Sequence, residues 1–275
     1  MMTKSYVGRR ASSISQVVSS RMVEGELEQG DVCVRIAHNL SMFEDAFRTA
    51  YDIYHDLGFI PASESRLRIS PYQLYRNTIV FVAYRNGRPA ATLSLYPDGP
   101  NGLPSDAGWK DDLDGLRSPS RSIAELGALI IRPNESNSLR TCLEMFRNVW
   151  VYTQKVMNIN MFCAFVQGKH AKFYRRVLKF TRFGSPKYYK WCGLNVKDIT
   201  PFYLDLAHAE DIFSAAYYCR EKGVDLYRDF TEDRGKDTAA VLREDAERLR
   251  AMDWNTFLSK FSAHAPVPRK ERIGA

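Results

Sequence analysis

Ser122-Ile123-Ala124-Glu125-Leu126-Gly127-Ala128-Leu129-Ile130-Ile131-Arg132-Pro133 is an almost wholly apolar run that stops at a proline. Its shortness and lack of alternation read as a strand buried on both faces. One ionisable side chain, Glu125, interrupts it. A lone carboxylate there must find a partner, hold a proton or do chemistry. The polar turn Asn134-Glu135-Ser136-Asn137-Ser138 follows, and a helical pattern begins at Leu139. Strand, turn and helix start together make a place where backbone N–H groups can face a phosphate. Simple N-capping explains the same polar residues without a ligand.

Upstream, Val32 to Ala37 alternates like a first strand. Ser41 reads as an N-cap with Glu44 as its capping-box partner. Phe43, Phe47, Ala50, Tyr51 and Tyr54 recur at helical spacing to about Leu57, where Gly58 is placed to end the helix. Residues 59–76 read as loop. Thr78–Tyr84 and Ala90–Tyr96 read as strands joined by an Asn86-Gly87 hairpin turn. A long polar loop, Pro97–Ser120, leads to the central strand. Downstream come a helix from Leu139 to Met157, a strand from Asn160 to Val166, a helix from Gly168 to Thr181 and a strand from Phe202 to Leu206. Two amphipathic patterns then run over Ala209–Tyr227 and Asp237–Phe261. The expected architecture is α/β (α+β), a mixed sheet with helices on both faces. Its expected domains are a disordered arm over residues 1–30, a catalytic-size domain over 31–206 and a helical extension over 207–275.

The chain has 275 residues, 45% hydrophobic and 12% aromatic, so a large core is expected. No run approaches the ~18 consecutive apolar residues of a membrane span. The first 30 residues lack an apolar segment of the secretory kind. Five scattered cysteines with no CxxC pair argue for a reducing cytoplasm and against a structural zinc site. The net charge is +7, and no Asp or Glu occurs from Met145 to Lys197, a window holding Lys169, Lys172, Arg175, Arg176, Lys179 and Arg182. Such a surface attracts an acidic partner, or is simply a solvated basic face. No motif for reading nucleic acid accompanies it.

Several motifs in order carry a family resemblance. They are Ser65-Arg66-Leu67-Arg68-Ile69-Ser70-Pro71-Tyr72-Gln73-Leu74, Phe81-Val82-Ala83, Ala91-Thr92-Leu93-Ser94-Leu95, Gly102-Leu103-Pro104-Ser105-Asp106, Leu113-Asp114-Gly115-Leu116-Arg117, Ala124-Glu125-Leu126-Gly127-Ala128-Leu129 and His170-Ala171-Lys172-Phe173-Tyr174-Arg175-Arg176. Over Val32 to Leu206 the chain resembles the FeeM-like long-chain N-acyl amino acid synthases of the GNAT acyltransferase superfamily. The resemblance implies a GNAT-like, mostly antiparallel central sheet flanked by helices. It implies transfer of a long acyl chain from an acyl carrier protein phosphopantetheine thioester to the α-amine of an amino acid, with no tightly bound cofactor. Related acyl-homoserine lactone synthases share the fold. A lactone synthase, a CoA-dependent N-acetyltransferase and an inactive binding module are the alternatives. The turn Arg132-Pro133-Asn134-Glu135-Ser136-Asn137 lacks the glycines of an ordinary CoA loop, which speaks against free CoA. Where the family has Asn-Pro-x-His, this chain has Gln167-Gly168-Lys169-His170.

Thioester aminolysis needs a base, a polarised carbonyl and a protonated leaving thiol. Glu125 is the candidate base, or else half of a structural ion pair with Arg66 or Arg68. Tyr174 is a candidate proton donor to the sulfur, or a core tyrosine. His170 is a second acid–base group or a capping or core histidine. Ala128, Leu129, Ile130 and Ile131 would hold the pantetheine by their backbone groups, provided the strand is partly unpaired, and Arg132 is a further candidate for binding the donor. Ser136 and Asn137 would hold its phosphate. Tyr54, His55, Arg66 and Arg68 are candidates for the acceptor site, an arginine clamping its carboxylate. No metal is expected. The acidic carrier protein would dock on the basic helix over residues 169–182, and a membrane is not required.

Overall fold

The computed structural model describes residues 32–132, 138–191, 194–217, 230–231 and 237–266. The expected arm over residues 1–30, Ser136 and Asn137 lie outside them. Strand β1 (Val32–Ile36) leads into helix α1 (Leu40–Asp56), and β2 (Ile79–Arg85) and β3 (Arg88–Pro97) form the hairpin. Asn86 (φ 49°) and Gly87 (φ 73°) are both left-handed, as a two-residue type I′ turn demands. Helix α2 (Asp106–Asp114) precedes β4 (Ile123–Ile131), followed by α3 (Ser138–Tyr152), β5 (Met161–Gln167) and α4 (Gly168–Arg176). Then come β6 (Thr181–Arg182), β7 (Lys187–Trp191), β8 (Leu194–Asp205), α5 (Ala209–Tyr217), α6 (Thr238–Ala251) and α7 (Trp254–Phe261).

The strands form one mixed sheet in the order β1-β2-β3-β4-β5-β8-β6, with β7 also paired to β8. Every neighbouring pair is antiparallel except β4 and β5. This is the mostly antiparallel sheet flanked by helices that the resemblance implies. The core is continuous from the sheet into the extension: Phe257 and Phe261 of α7 pack edge-on against Phe43 and Phe47 of α1, with ring centroids 4.7 and 5.2 Å apart. No helix among the described residues is long and apolar enough to cross a membrane.

Several local expectations are corrected. The N-cap of α1 is Asn39, whose side chain accepts from the Met42 N–H at 3.0 Å, not Ser41. Glu44 is drawn instead to Arg48 and Lys260, which hold its carboxyl below the usual range. The long loop contains α2, because Trp109 and Leu113 provide a buried helical face. Helix α4 ends at Arg176, so the basic helix expected over residues 169–182 is shorter; Arg182 lies in β6. The last strand is longer than expected and pairs with β7, an element hidden by its lysines. The single helix expected over 237–261 is two, since Asp253 accepts from the Asn255 N–H at 3.0 Å and starts α7 afresh.

Candidate active site

Strand register decides which side chains meet. Glu125 stands opposite Tyr96 of β3 and Cys163 of β5. These share one face of the sheet, since directly paired residues point the same way. Glu125 is 5% exposed. Its Oε1 accepts from the Ser105 hydroxyl at 2.9 Å, and its Oε2 accepts from the Ser105 N–H at 3.0 Å. Burial pushes its carboxyl up to about 8; the Ser105 hydrogen bonds oppose this, while Asp106 and Asp98 add to it. The ion pair expected as the alternative for Glu125 is absent. Arg66 reaches Asp52 at 2.8 Å, and Arg68 donates to the Ile69 carbonyl at 3.0 Å. Ser105 belongs to a motif quoted above, yet the sequence gives it no role. The N-cap-like Ser105-Asp106 ahead of Trp109 and Leu113 was the available signal for α2.

Beyond Glu125 the sheet opens. The β4–β5 ladder runs only from Ile123↔Met161 to Leu126↔Ala164, although β4 continues to Ile131 and β5 to Gln167. The β3–β4 register shifts between Thr92 and Ser94, and Ala128 has φ 49°. This left-handed residue in a bulge bends β4 away from β5. Gly127, Ala128 and Leu129 are correspondingly half-buried. Among the described residues, none of β4 from Gly127 to Ile131 pairs with β5, so that edge of the strand lacks a ladder partner. A Cβ at Gly127 would stand 2.8 Å from the Tyr96 ring. Gly127→Ala is expected to cost about 1–3 kcal/mol by overpacking, read as a lowered Tm; an unchanged Tm would show that the ring yields freely.

The fork has a lining on the α1 side. Tyr54 and Ala128 both pack against the buried cluster of Ala50, Ile53 and Ile130, and the Arg68 guanidinium lies 5.9 Å from the Tyr54 ring centre. Burial raises the Tyr96 hydroxyl pKa; hydrogen bonding to Ser94 and Ser70 opposes this, while Glu125 and Tyr54 add to it. At the other side, Lys169 at the start of α4 lies 5.9 Å from the Phe59 ring centre. His170 is half-buried next to it; burial and Lys169 lower its pKa to about 4, so it is neutral near pH 7.

Other expected residues are elsewhere. His55, Arg66 and Arg132 line a separate polar cleft of about 470 Å³ with Tyr51, Asp52 and Ser63. Asp52, unnoticed in the sequence, bridges Arg66 at 2.8 Å and Arg132 at 3.2 Å. Arg132 follows Glu125 by seven residues of strand, roughly 20 Å, so His55 and Arg66 do not share a site with Glu125. Tyr174 packs among Phe146, Phe173, Phe180 and Phe202. Phe202 is paired with Ala164, on the face opposite Cys163 and Glu125. Burial raises the Tyr174 pKa further from the working range, and its surroundings are those of a core residue.

Residues 45–196 match the family of the N-acyl amino acid synthase FeeM. Among solved structures, FeeM, an N-acyl amino acid synthase from uncultured soil microbes, superposes with a TM-score of 0.59 at 20% identity, covering 69% of this chain and 98% of that one. The AHL synthase LasI superposes with a TM-score of 0.51 at 17% identity, covering 65% of this chain and 91% of that one. These identities speak for the fold. No curated protein matches the sequence. The matched segment spans more than half of the 275 residues, and the protein therefore belongs to the FeeM family of N-acyl amino acid synthases and is an acyltransferase.

Proposed function

We propose that this protein moves a long acyl chain from the phosphopantetheine thioester of an acyl carrier protein to the α-amine of an amino acid. The observation that carries the reading is the open edge of β4 directly beyond a buried carboxylate on the same strand. The pantetheine amides pair with the backbone of Ala128 to Ile131 as an added strand. The arm's phosphate then lies near Arg132 at the far end. The thioester lies in the fork, where a backbone N–H of the open edge serves as oxyanion donor.

Glu125, ionised above about pH 8, takes a proton from the acceptor ammonium, directly or through a water. The free amine attacks the thioester carbon, a C–N bond forms and the C–S bond breaks, and the proton shed by the attacking nitrogen passes to the departing sulfur, directly or through a water. Tyr54 and Arg68 are the acceptor-side residues of the fork, and Arg68 meets the acceptor carboxylate. Neutral His170 stands at the entrance as a hydrogen-bonding group for the pantetheine. Tyr174 is left with packing alone. The reading places the reaction in the cytoplasm and needs no membrane.

The product test is mass spectrometry of lipid extracts from cells expressing the chain, beside a Glu125→Gln control. A long-chain N-acyl amino acid that disappears in the control supports the reading and names acceptor and chain length. An acyl-homoserine lactone or a short acetylated product instead would reassign the substrate class.

The carrier docks on α4 through exposed Lys169, Lys172, Arg175 and Arg176. Replacing Lys172, Arg175 and Arg176 together by glutamine is expected to raise the KM for the carrier-linked donor about tenfold, with association most affected at low salt. A carrier-free acyl-pantetheine should react as before. An unchanged carrier KM would remove this docking face.

A further inference from the structure

Ser105 occupies the N-cap of α2, where a serine ordinarily accepts a hydrogen bond from the helix's own N–H groups. Here its side chain makes no capping bond. The hydroxyl and the backbone N–H both point to Glu125, one to each carboxylate oxygen. Ser105 is itself buried, 4% exposed. A helix start has thus given up a stabilising contact worth about 1 kcal/mol in favour of a carboxylate twenty residues away in sequence.

The segment that carries Ser105 is held by one arginine. Arg117 donates from Nε to Asp98 Oδ2 at 2.7 Å and from Nη1 and Nη2 to the two oxygens of Asp106 at 2.8 Å each. It also donates from Nη1 to Asp114 at 2.6 Å. Asp98 is anchored at the end of β3, its N–H donating to the Ile123 carbonyl at 2.9 Å. Asp106 is the residue next to Ser105 and accepts from the Leu103 N–H at 2.7 Å. A two-pronged guanidinium fixes both position and orientation. The clamp also has an electrostatic effect. Asp98 and Asp106 both oppose ionisation of Glu125, and Arg117 sets a positive charge against them. The other groups facing Glu125 are Tyr96 from β3 and Cys163 from β5, both neutral because burial raises their pKa values.

We propose that Ser105 is a positioning residue for Glu125, aiming its carboxylate and favouring the charged form, and that the Arg117 clamp on Asp98 and Asp106 holds it there. The inference rests on Glu125 acting as the base. The loop between β3 and β4 is then part of the catalytic apparatus.

The test is a 13C titration of the Glu125 carboxyl in the full chain, its resonance assigned by its loss in Glu125→Gln, beside thioester consumption by each variant. Ser105→Ala keeps the backbone N–H and removes the hydroxyl. Its Glu125 midpoint should move up by about one pH unit, the size of one hydrogen bond to a charged group, and thioester consumption at pH 7 should fall about tenfold. Ser105→Thr should restore both, and Arg117→Gln should move the midpoint upward as well. An Ala variant with the wild-type midpoint and rate overturns the role of Ser105, as does a shift that Thr does not restore. A wild-type midpoint in Arg117→Gln overturns the clamp. Full activity in Glu125→Gln would instead remove the base reading itself, and this proposal with it. Thermal melts of each variant separate these outcomes from loss of fold.

Discussion

Glu125→Gln is expected to lower turnover by about 10²- to 10⁴-fold and, at alkaline pH, to make the protein more stable. The two effects have one cause. Glu125 sits on an apolar strand with only Ser105 as its hydrogen-bond partner among the described contacts, and burial pushes its carboxyl up to about 8. A folded-state value above the unfolded one means that the folded chain binds the proton more tightly. Stability from this group is fully present below the unfolded value near 4.5 and is lost as pH rises toward about 8. Glutamine keeps the shape and does not titrate. The variant should therefore gain little in Tm at pH 4.5, gain progressively up to pH 8, and hold a gain on the order of a few kcal/mol above it. Thermal melts across pH read the stability arm, and thioester consumption reads the catalytic arm. A Tm difference that does not grow with pH would mean that Glu125 is not held protonated by its site. Wild-type turnover would rule it out as the base.

Asp245→Ala should strongly destabilise the protein through the helical extension. Asp245 is fully buried. It accepts from Arg35 Nε at 2.8 Å and from the Ile36 N–H at 3.0 Å, and His38 Nδ1 stands 3.4 Å away. These bonds tie α6 to β1, the edge strand of the sheet. Removing the carboxylate leaves a backbone N–H and a guanidinium without their acceptor, and breaking a buried pair costs about 3–5 kcal/mol. Arg35 keeps 30% of its side chain in water, which places the expected loss near the low end, about 3 kcal/mol. For a domain of this size that is a fall in Tm of roughly 10 °C. Asp245→Asn, which retains one acceptor oxygen, should lose less. If Asp245→Ala melts with the wild type, α6 is held by its apolar face alone, through Leu242, Ala246 and Leu249.

Order and class of the main elements were legible in the sequence because they rest on local rules. Asn86-Gly87 can only turn tightly, the apolar run from Ile123 to Ile131 can only be a buried strand, and Phe43, Phe47 and Ala50 share a helix face by spacing. Glu125 was legible for the same reason: a single carboxylate in a dry strand stands out. The motifs resembling the FeeM family carried the fold class. Elements held by long-range contacts were not legible. Helix α2 lay inside an apparently polar loop because its two apolar residues are buried only when the sheet is present. Strand β7, Lys187-Tyr188-Tyr189-Lys190-Trp191, mixes lysines with aromatics without strict alternation and gains its strand state from pairing with β8.

The site divides in the same way. Sequence spacing placed Tyr54 and His55 side by side, and Arg66 and Arg68 likewise, as if each pair served one pocket. Neighbours on a helix or in a loop point in different directions, and the tertiary structure sends Tyr54 and Arg68 to the fork but His55 and Arg66 to the cleft with Asp52. The partner of Glu125 was equally out of reach, because Ser105 is twenty residues away and becomes its neighbour only through the folding of the β3–β4 loop. The sequence by itself determined that this chain builds a mixed sheet with one buried acid in its central strand. Only the tertiary structure decided what that acid faces, because strand register, the bulge at Ala128 and the Arg117 clamp are set by contacts between segments far apart in the chain.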